Sequence, residues 1–175
     1  MSSARKSLSD PGQQAIPNAQ KFRFGLVVSQ WHDDITGPLA QGALDTLLQY
    51  GAREEAIQRV DVPGTFELPM GARLLSGKTK LDAIICIGCV IKGETSHNEY
   101  INQAVATGLV QFSLMSGIPA VFGVLTPNTI EQALDRAGGK HGNKGVEAAI
   151  TAIHMAHLKQ NAREPGISIG FGNPI

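Results

Sequence analysis

Apolar residues occur along this chain in short continuous runs that alternate with longer stretches where they recur every third or fourth position. The runs predict buried strands and the stretches predict amphipathic helices. Residues 21–30 (KFRFGLVVSQ) alternate and then run apolar, as a strand entering a sheet does. Thr36 and Pro38 mark a helix start, with Pro38 in the first turn; Leu39, Ala43, Leu44, Leu47 and Leu48 form its apolar face, and Gly51 ends it. Residues 56–62 read as a second strand and Pro63-Gly64 as a turn. Thr65-Phe66-Glu67-Leu68-Pro69 opens a second helix, where a first-turn proline is tolerated.

The pattern then repeats. Residues 83–91 are a continuous apolar run, followed by a helix with Ile101, Ala104, Val105, Gly108, Leu109 and Phe112 on one face and Gly117 as its stop. Residues 119–125 predict another strand. Thr126-Pro127 is expected to cap a helix that turns Ile130, Ala133, Leu134 and Ala137 inward. The glycine-rich, basic stretch 138–145 breaks the pattern, and a last helix over about 146–160 should bury Ala149, Ile150 and Ile153. Strands alternating with helices make βαβ units, hence a parallel sheet covered on both faces with right-handed crossovers. Residues 1–20, rich in Ser, Gln, Pro and Ala, read as a flexible N-terminal arm; 21–160 form the domain, and 161–175 a C-terminal tail without period.

At 175 residues the chain suits one domain with a real core. Its formal net charge of zero supplies no basic footprint, so nucleic acid is not expected as a partner. No apolar run reaches membrane-spanning length and the polar N-terminus lacks a signal-peptide core, so the expectation is a cytoplasmic protein without a membrane partner. Cys86 and Cys89 form a lone C-x-x-C inside the apolar run. Residues three apart on a strand face opposite sides about 10 Å apart, whereas a disulfide needs Cα atoms within about 7 Å. They read as structural thiols, and no second pair completes a zinc site. His154 and His157, one turn apart, read as a solvated helix face and not as a metal site.

The chemistry concentrates in residues 88–100 (GCVIKGETSHNEY), the crest between the apolar run and the next helix. Ligands of open α/β sheets bind at the carboxyl ends of the strands. Gly93 permits close backbone approach, and Thr95 can cap a helix whose N-terminus suits a phosphate. His97 beside it is suited to proton transfer near neutral pH, although a capped helix with an exposed histidine reads equally. Trp31, the only tryptophan, ends the first strand; it can stack on a flat ligand or pack as a rim residue. Glu67 can accept hydrogen bonds from ligand hydroxyl or N–H groups, or simply favour a helix N-terminus. Arg136 can hold a phosphate, or complement the C-terminal dipole of its helix.

Taken in order, Trp31 with Ile35-Thr36, V-P-G-T-F-E-L-P ending at Pro69, G-C-V-I-K-G-E-T-S-H-N-E-Y, G-I-P-A-V-F-G-V-L-T ending at Thr126, E-Q-A-L-D-R-A-G ending at Gly138 and G-N-K-G ending at Gly145 resemble the lumazine synthases of riboflavin biosynthesis. The resemblance covers about residues 22–159. It implies a flavodoxin-like three-layer α/β/α fold with a central four-stranded parallel sheet. It also implies a cofactor-independent transferase that joins 5-amino-6-(D-ribitylamino)uracil to 3,4-dihydroxy-2-butanone 4-phosphate. On that resemblance Trp31 stacks on the pyrimidine, Thr65, Phe66 and Glu67 hold the ribityl chain, and Cys89, Val90 and Ile91 receive the uracil edge. Glu94 and Thr95 form the phosphate-side turn, and His97 transfers protons. Phe122 faces the site from a neighbouring subunit, Arg136 binds phosphate, and Lys144 is a basic residue near the site. The family often has phenylalanine at Trp31, asparagine at His32 and an aromatic at Asn98. Implied partners are the two substrates, further copies in a pentamer or a sixty-subunit icosahedral shell, and riboflavin synthase. A non-catalytic flavin or lumazine carrier, or a shell-forming scaffold, on the same fold is the alternative.

Overall fold

The computed structural model describes residues 15–162. Its first half contains β1 (Phe24–Ser29), α1 (Asp33–Gln49), a 3-10 turn (Glu54–Ala56), β2 (Ile57–Val62), a second 3-10 turn (Thr65–Glu67), α2 (Leu68–Lys78) and β3 (Ala83–Cys89). Then follow α3 (His97–Ser116), β4 (Ala120–Leu125), α4 (Ile130–Arg136), the short strands β5 (Ala137–Gly139) and β6 (Gly142–Asn143), and α5 (Lys144–Asn161). The main sheet is parallel in the order β2-β1-β3-β4, and β5 and β6 form a small antiparallel hairpin. This is the expected three-layer α/β/α arrangement.

The continuous apolar character of β3 follows from its two covered faces. Ala83, Ile85, Ile87 and Cys89 enter one core with Leu39, Leu47, Ala149 and Ile153 of α1 and α5. Ile84 and Cys86 enter the other, with Leu68, Leu75, Val105 and Leu109 of α2 and α3. Cys86 and Cys89 thus lie in different layers, as the strand period requires. Ile84, Ile85 and Ile87 are fully buried; truncating one of them to alanine would cost about 2–5 kcal/mol.

Three local expectations are corrected. α1 begins at Asp33, after His32 in the left-handed region (φ 62°), so Pro38 lies inside the helix and not in its first turn. Thr36 does not cap: its buried hydroxyl donates to the Ser29 carbonyl at 2.8 Å and to the His32 carbonyl at 3.2 Å, lashing the helix start to the strand end. α4 is capped by Thr129 and not by Thr126-Pro127. The Thr129 hydroxyl accepts from the Gln132 N–H at 3.3 Å, and the Gln132 side chain reaches back past the cap to accept from the Asn128 N–H at 2.8 Å, a variant of the capping box. Within α4 only Ala133 is buried; Ile130 and Leu134 are 38% and 47% exposed, because this short helix packs on the β5–β6 hairpin outside the main layers. The stretch 138–145 is that hairpin, leading directly into α5.

α5 starts two residues earlier than the periodicity suggests, because Asn143 caps it: its side-chain oxygen accepts from the N–H groups of Gly145 at 2.8 Å and Val146 at 3.4 Å. The same side chain donates to the Pro38 carbonyl at 3.0 Å, tying α5 to α1. The two helices meet so closely that a Cβ on Gly145 would collide with the Leu39 carbonyl. Of the segment read as an arm, residues 1–14 lie outside the described residues; Ala19 is buried and Ile16 half-buried against the core, so the end of that segment is fixed to the fold. Residues 163–175 of the expected tail also lie outside the described residues. Among the described residues no helix is long and apolar enough to cross a membrane.

Candidate active site

Parallel pairing brings the carboxyl ends of β1, β2 and β3 to one rim. Backbone bonds weld the connections there: Gln30 N–H donates to the Val62 carbonyl at 2.8 Å and Trp31 N–H to the Pro63 carbonyl at 3.2 Å. The buried Thr65 hydroxyl donates to the Cys89 carbonyl at 3.3 Å, fixing the 3-10 turn against the end of β3. Contact is tight enough that a Cβ on Gly88 would lie 2.8 Å from the Thr65 side chain. Past β3 the chain stays paired to the edge strand: Val90 N–H donates to the Leu125 carbonyl at 2.9 Å and Lys92 N–H to the Pro127 carbonyl at 3.0 Å.

On this braced floor the side chains stand open. Trp31 is 68% exposed and meets the His32 ring edge-on at 6.2 Å between centroids. Phe66 is exposed, Glu67 half-buried, and Glu94 and Thr95 are exposed. His97 is the first residue of α3; its N–H donates to the Thr95 hydroxyl at 3.4 Å. Among the described residues the exposed imidazole has no hydrogen-bond or ionic partner, which leaves both ring nitrogens for a ligand. The helix is capped at Ser96 by position, while the hydroxyl contact comes from Thr95. Val90 and Ile91 are half-buried and pack on opposite cores.

Cys89 reaches this rim only through its backbone. Its thiol is buried, and burial, reinforced by the Asp34 charge, pushes its pKa up to about 11. Burial alone pushes Cys86 up to about 12. Burial disfavours the thiolate of both near neutral pH, as suits structural thiols.

The other predicted residues come from β4, α4 and α5. Phe122 pairs in register with Cys86, three residues before the end of β3, and so sits roughly 10 Å below the rim. It is 36% exposed on β4, an edge strand of the sheet. A groove of about 570 Å³ runs along that edge, with Phe122, Leu114, Pro119, Met155 and Lys144 among its walls. Lys144 leads on to Arg136 through Glu147, which sequence reasoning missed. Arg136 donates to Glu147 Oε1 at 2.7 Å, and Lys144 Nζ lies 3.0 Å from Glu147 Oε2. Arg136 also donates to the His141 carbonyl, closing the hairpin. Burial raises the Glu147 carboxyl, but hydrogen bonds and charge from Arg136 and Lys144 outweigh it and hold the group below the usual carboxylate range. The Lys144–Glu147 spacing is a signal for one half of this cluster; the Arg136 half crosses a hairpin and has none.

Among the described residues no group of three or more His, Cys, Asp or Glu side chains is placed to hold a metal ion. The fold is that of a flavodoxin-like α/β protein, and the carboxyl ends of its parallel strands are where such sheets offer a candidate ligand site. The family model for 6,7-dimethyl-8-ribityllumazine synthase matches residues 21–160. The chain is 48% identical over 162 residues to the protein of that name from Flavobacterium psychrophilum, covering 93% of this chain and 86% of the relative. It is 52% identical over 155 residues to that of Cytophaga hutchinsonii (89% and 97% covered) and 53% identical over 134 residues to that of Bacteroides fragilis (77% and 94% covered). The chain belongs to the 6,7-dimethyl-8-ribityllumazine synthase family.

Proposed function

We propose that this protein condenses 5-amino-6-(D-ribitylamino)uracil with 3,4-dihydroxy-2-butanone 4-phosphate to give 6,7-dimethyl-8-ribityllumazine, phosphate and water. The observation that carries the reading is the convergence of Trp31, Thr65, Phe66, Glu67, Cys89, Val90, Ile91, Glu94, Thr95 and His97 on one rim. Trp31 stacks on the pyrimidine, the Thr65–Glu67 turn holds the ribityl chain, and the backbone of Cys89, Val90 and Ile91 meets the uracil edge. The 5-amino group adds to the ketone and loses water to give an imine. A base removes the proton from the hydroxyl-bearing carbon next to the imine, its electron pair forms a C=C bond as phosphate leaves with its own bonding pair, the resulting enol tautomerises to a ketone, and the ribitylamino nitrogen closes the ring with loss of a second water. Protons move at each step, and His97, with its ring open to a ligand, is the donor and acceptor. Holding both substrates together supplies much of the rate.

Arg136 and Lys144 receive the phosphate, and Phe122 closes the site. The position of Phe122 below the Trp31–His97 rim, facing a groove on an edge strand, supports a site assembled from two subunits, one giving the rim and its neighbour the Phe122–Arg136 side. Leu114, which lines the groove, and Val110 and Met115 on the same helix are exposed apolar residues and support a face covered by another copy; the number of copies, five, comes from the family resemblance. Closure of pentamers into an icosahedral shell, association with riboflavin synthase and a cytoplasmic location belong to the same reading. A carrier of flavin or lumazine would have no use for His97 or Arg136. The test is turnover: purified protein given both substrates should release one phosphate per lumazine formed, and binding of the pyrimidine without product would leave the carrier standing. Light scattering tests assembly; a monomer would sink the pentamer, and a lone pentamer only the shell.

A further inference from the structure

Arg136 and Lys144 carry like charges on long, entropically costly side chains, yet both reach one carboxylate. Glu147 spends one oxygen on each, at 2.7 Å and 3.0 Å, and its side chain is only 10% exposed. Two cations against one carboxylate leave the cluster a single net positive charge. Serving the dipole of α5 does not require this burial, because a carboxylate in a first helical turn is favourable while solvated. Nor does capping, since Asn143 already accepts from the Gly145 and Val146 amides. We propose that Glu147 is a positioning residue of the phosphate half-site, clamping Arg136 and Lys144 side by side so that an incoming phosphate meets a pre-formed pair of cations. The guanidinium N–H groups not spent on His141 and Glu147, and the ammonium protons not spent on Glu147, remain for the ligand. Their ordering is complete before the ligand arrives, which lowers the entropic cost of binding. This inference rests on the assignment of the phosphate to Arg136.

The test is steady-state kinetics of the assembled protein with both substrates, together with competition by inorganic phosphate. Glu147→Ala should raise KM for the butanone phosphate and the inhibition constant of inorganic phosphate about 10-fold, and KM for the pyrimidine less than about 2-fold. Glu147→Gln keeps an acceptor for Arg136 but turns an amide N–H toward Lys144; it should give about 3-fold in the same direction and carries the test if Glu147→Ala does not fold. In a Lys144→Ala background, Glu147→Gln should add less than about 2-fold, because the cation its amide N–H would face is already gone. The inference is overturned if Arg136→Ala weakens phosphate binding while Glu147→Gln leaves it unchanged or tightens it. It is also overturned if both KM values rise equally, or if the two losses multiply. If Arg136→Ala itself leaves the phosphate KM unchanged, the parent assignment falls and takes the clamp with it.

Discussion

The two halves of the candidate site are built in opposite ways. At the rim of β1–β3 the backbone is braced and the side chains are free: Trp31 and Phe66 stand exposed, and the His97 imidazole has no partner among the described residues. At the α4–α5 end the side chains brace one another: Arg136, Lys144 and Glu147 form a closed set, tied to the hairpin through His141. On the proposed function, the contrast follows from what each half has to bind. A flat ring is held by area, which an open aromatic supplies without prior electrostatic work. A phosphate is held by charge, and converging cations need a counter-charge before the ligand comes.

Breaking the halves separately should give different kinetic signatures. The largest expected effect is at His97: His97→Ala should lower kcat by roughly 10- to 1,000-fold, within the usual range of general acid–base contributions. Wild-type turnover in that variant would make His97 a helix-start residue only. Next, Arg136→Ala should raise KM for the butanone phosphate by about 10-fold or more and leave the pyrimidine nearly unchanged. Trp31→Ala should do the reverse, by about 3- to 10-fold, through lost stacking. Equal movement of both KM values in both variants would erase the distinction between the halves.

A smaller effect concerns stability. The Glu147 carboxyl lies lower in the folded protein than its ordinary value. Its contribution is therefore present above the ordinary carboxylate range and is lost as pH falls through the depressed folded value. Glu147→Gln should cost about 1–3 kcal/mol near neutrality, measured by denaturant unfolding, and progressively less in acid. A cost independent of pH would mean that the carboxylate charge is not what the cluster uses. The smallest effect is at the thiols. With pKa values raised to about 11 and 12, Cys89 and Cys86 should resist a thiol reagent at mildly alkaline pH until the protein unfolds.

Most of the fold was legible because its signals are local and strong. The run 83–91 is apolar at every position up to its glycine, which only a strand covered on both faces needs, and the spacing through Val105, Leu109 and Phe112 fits only a helix. Misreadings arose where a side chain did something other than its commonest job. Thr36 bonds backwards to Ser29 and so does not cap, Thr129 pairs with Gln132 two residues beyond the more conspicuous Thr-Pro, and Asn143 starts α5 inside a stretch whose glycines suggested only a break. The rim residues were legible because they lie on strand ends in a row of motifs. Glu147 was not, because its meeting with Arg136 depends on the hairpin folding back across eleven positions. No periodicity encodes that approach.

The central claim is that one site takes its rim from one subunit and its phosphate cluster from the next. Mixing subunits tests it directly. His97→Ala damages the rim half and Arg136→Ala the phosphate half, so a site between subunits carrying different lesions can contain two intact halves. With the butanone phosphate held well below its KM, where both lesions lower the rate, co-assembly of equal amounts should restore activity to about a quarter of wild type, since a heterologous interface pairs the halves at random. Activity in the mixed assembly that stays at the average of the two variants alone would contradict the account and put the whole site within one chain.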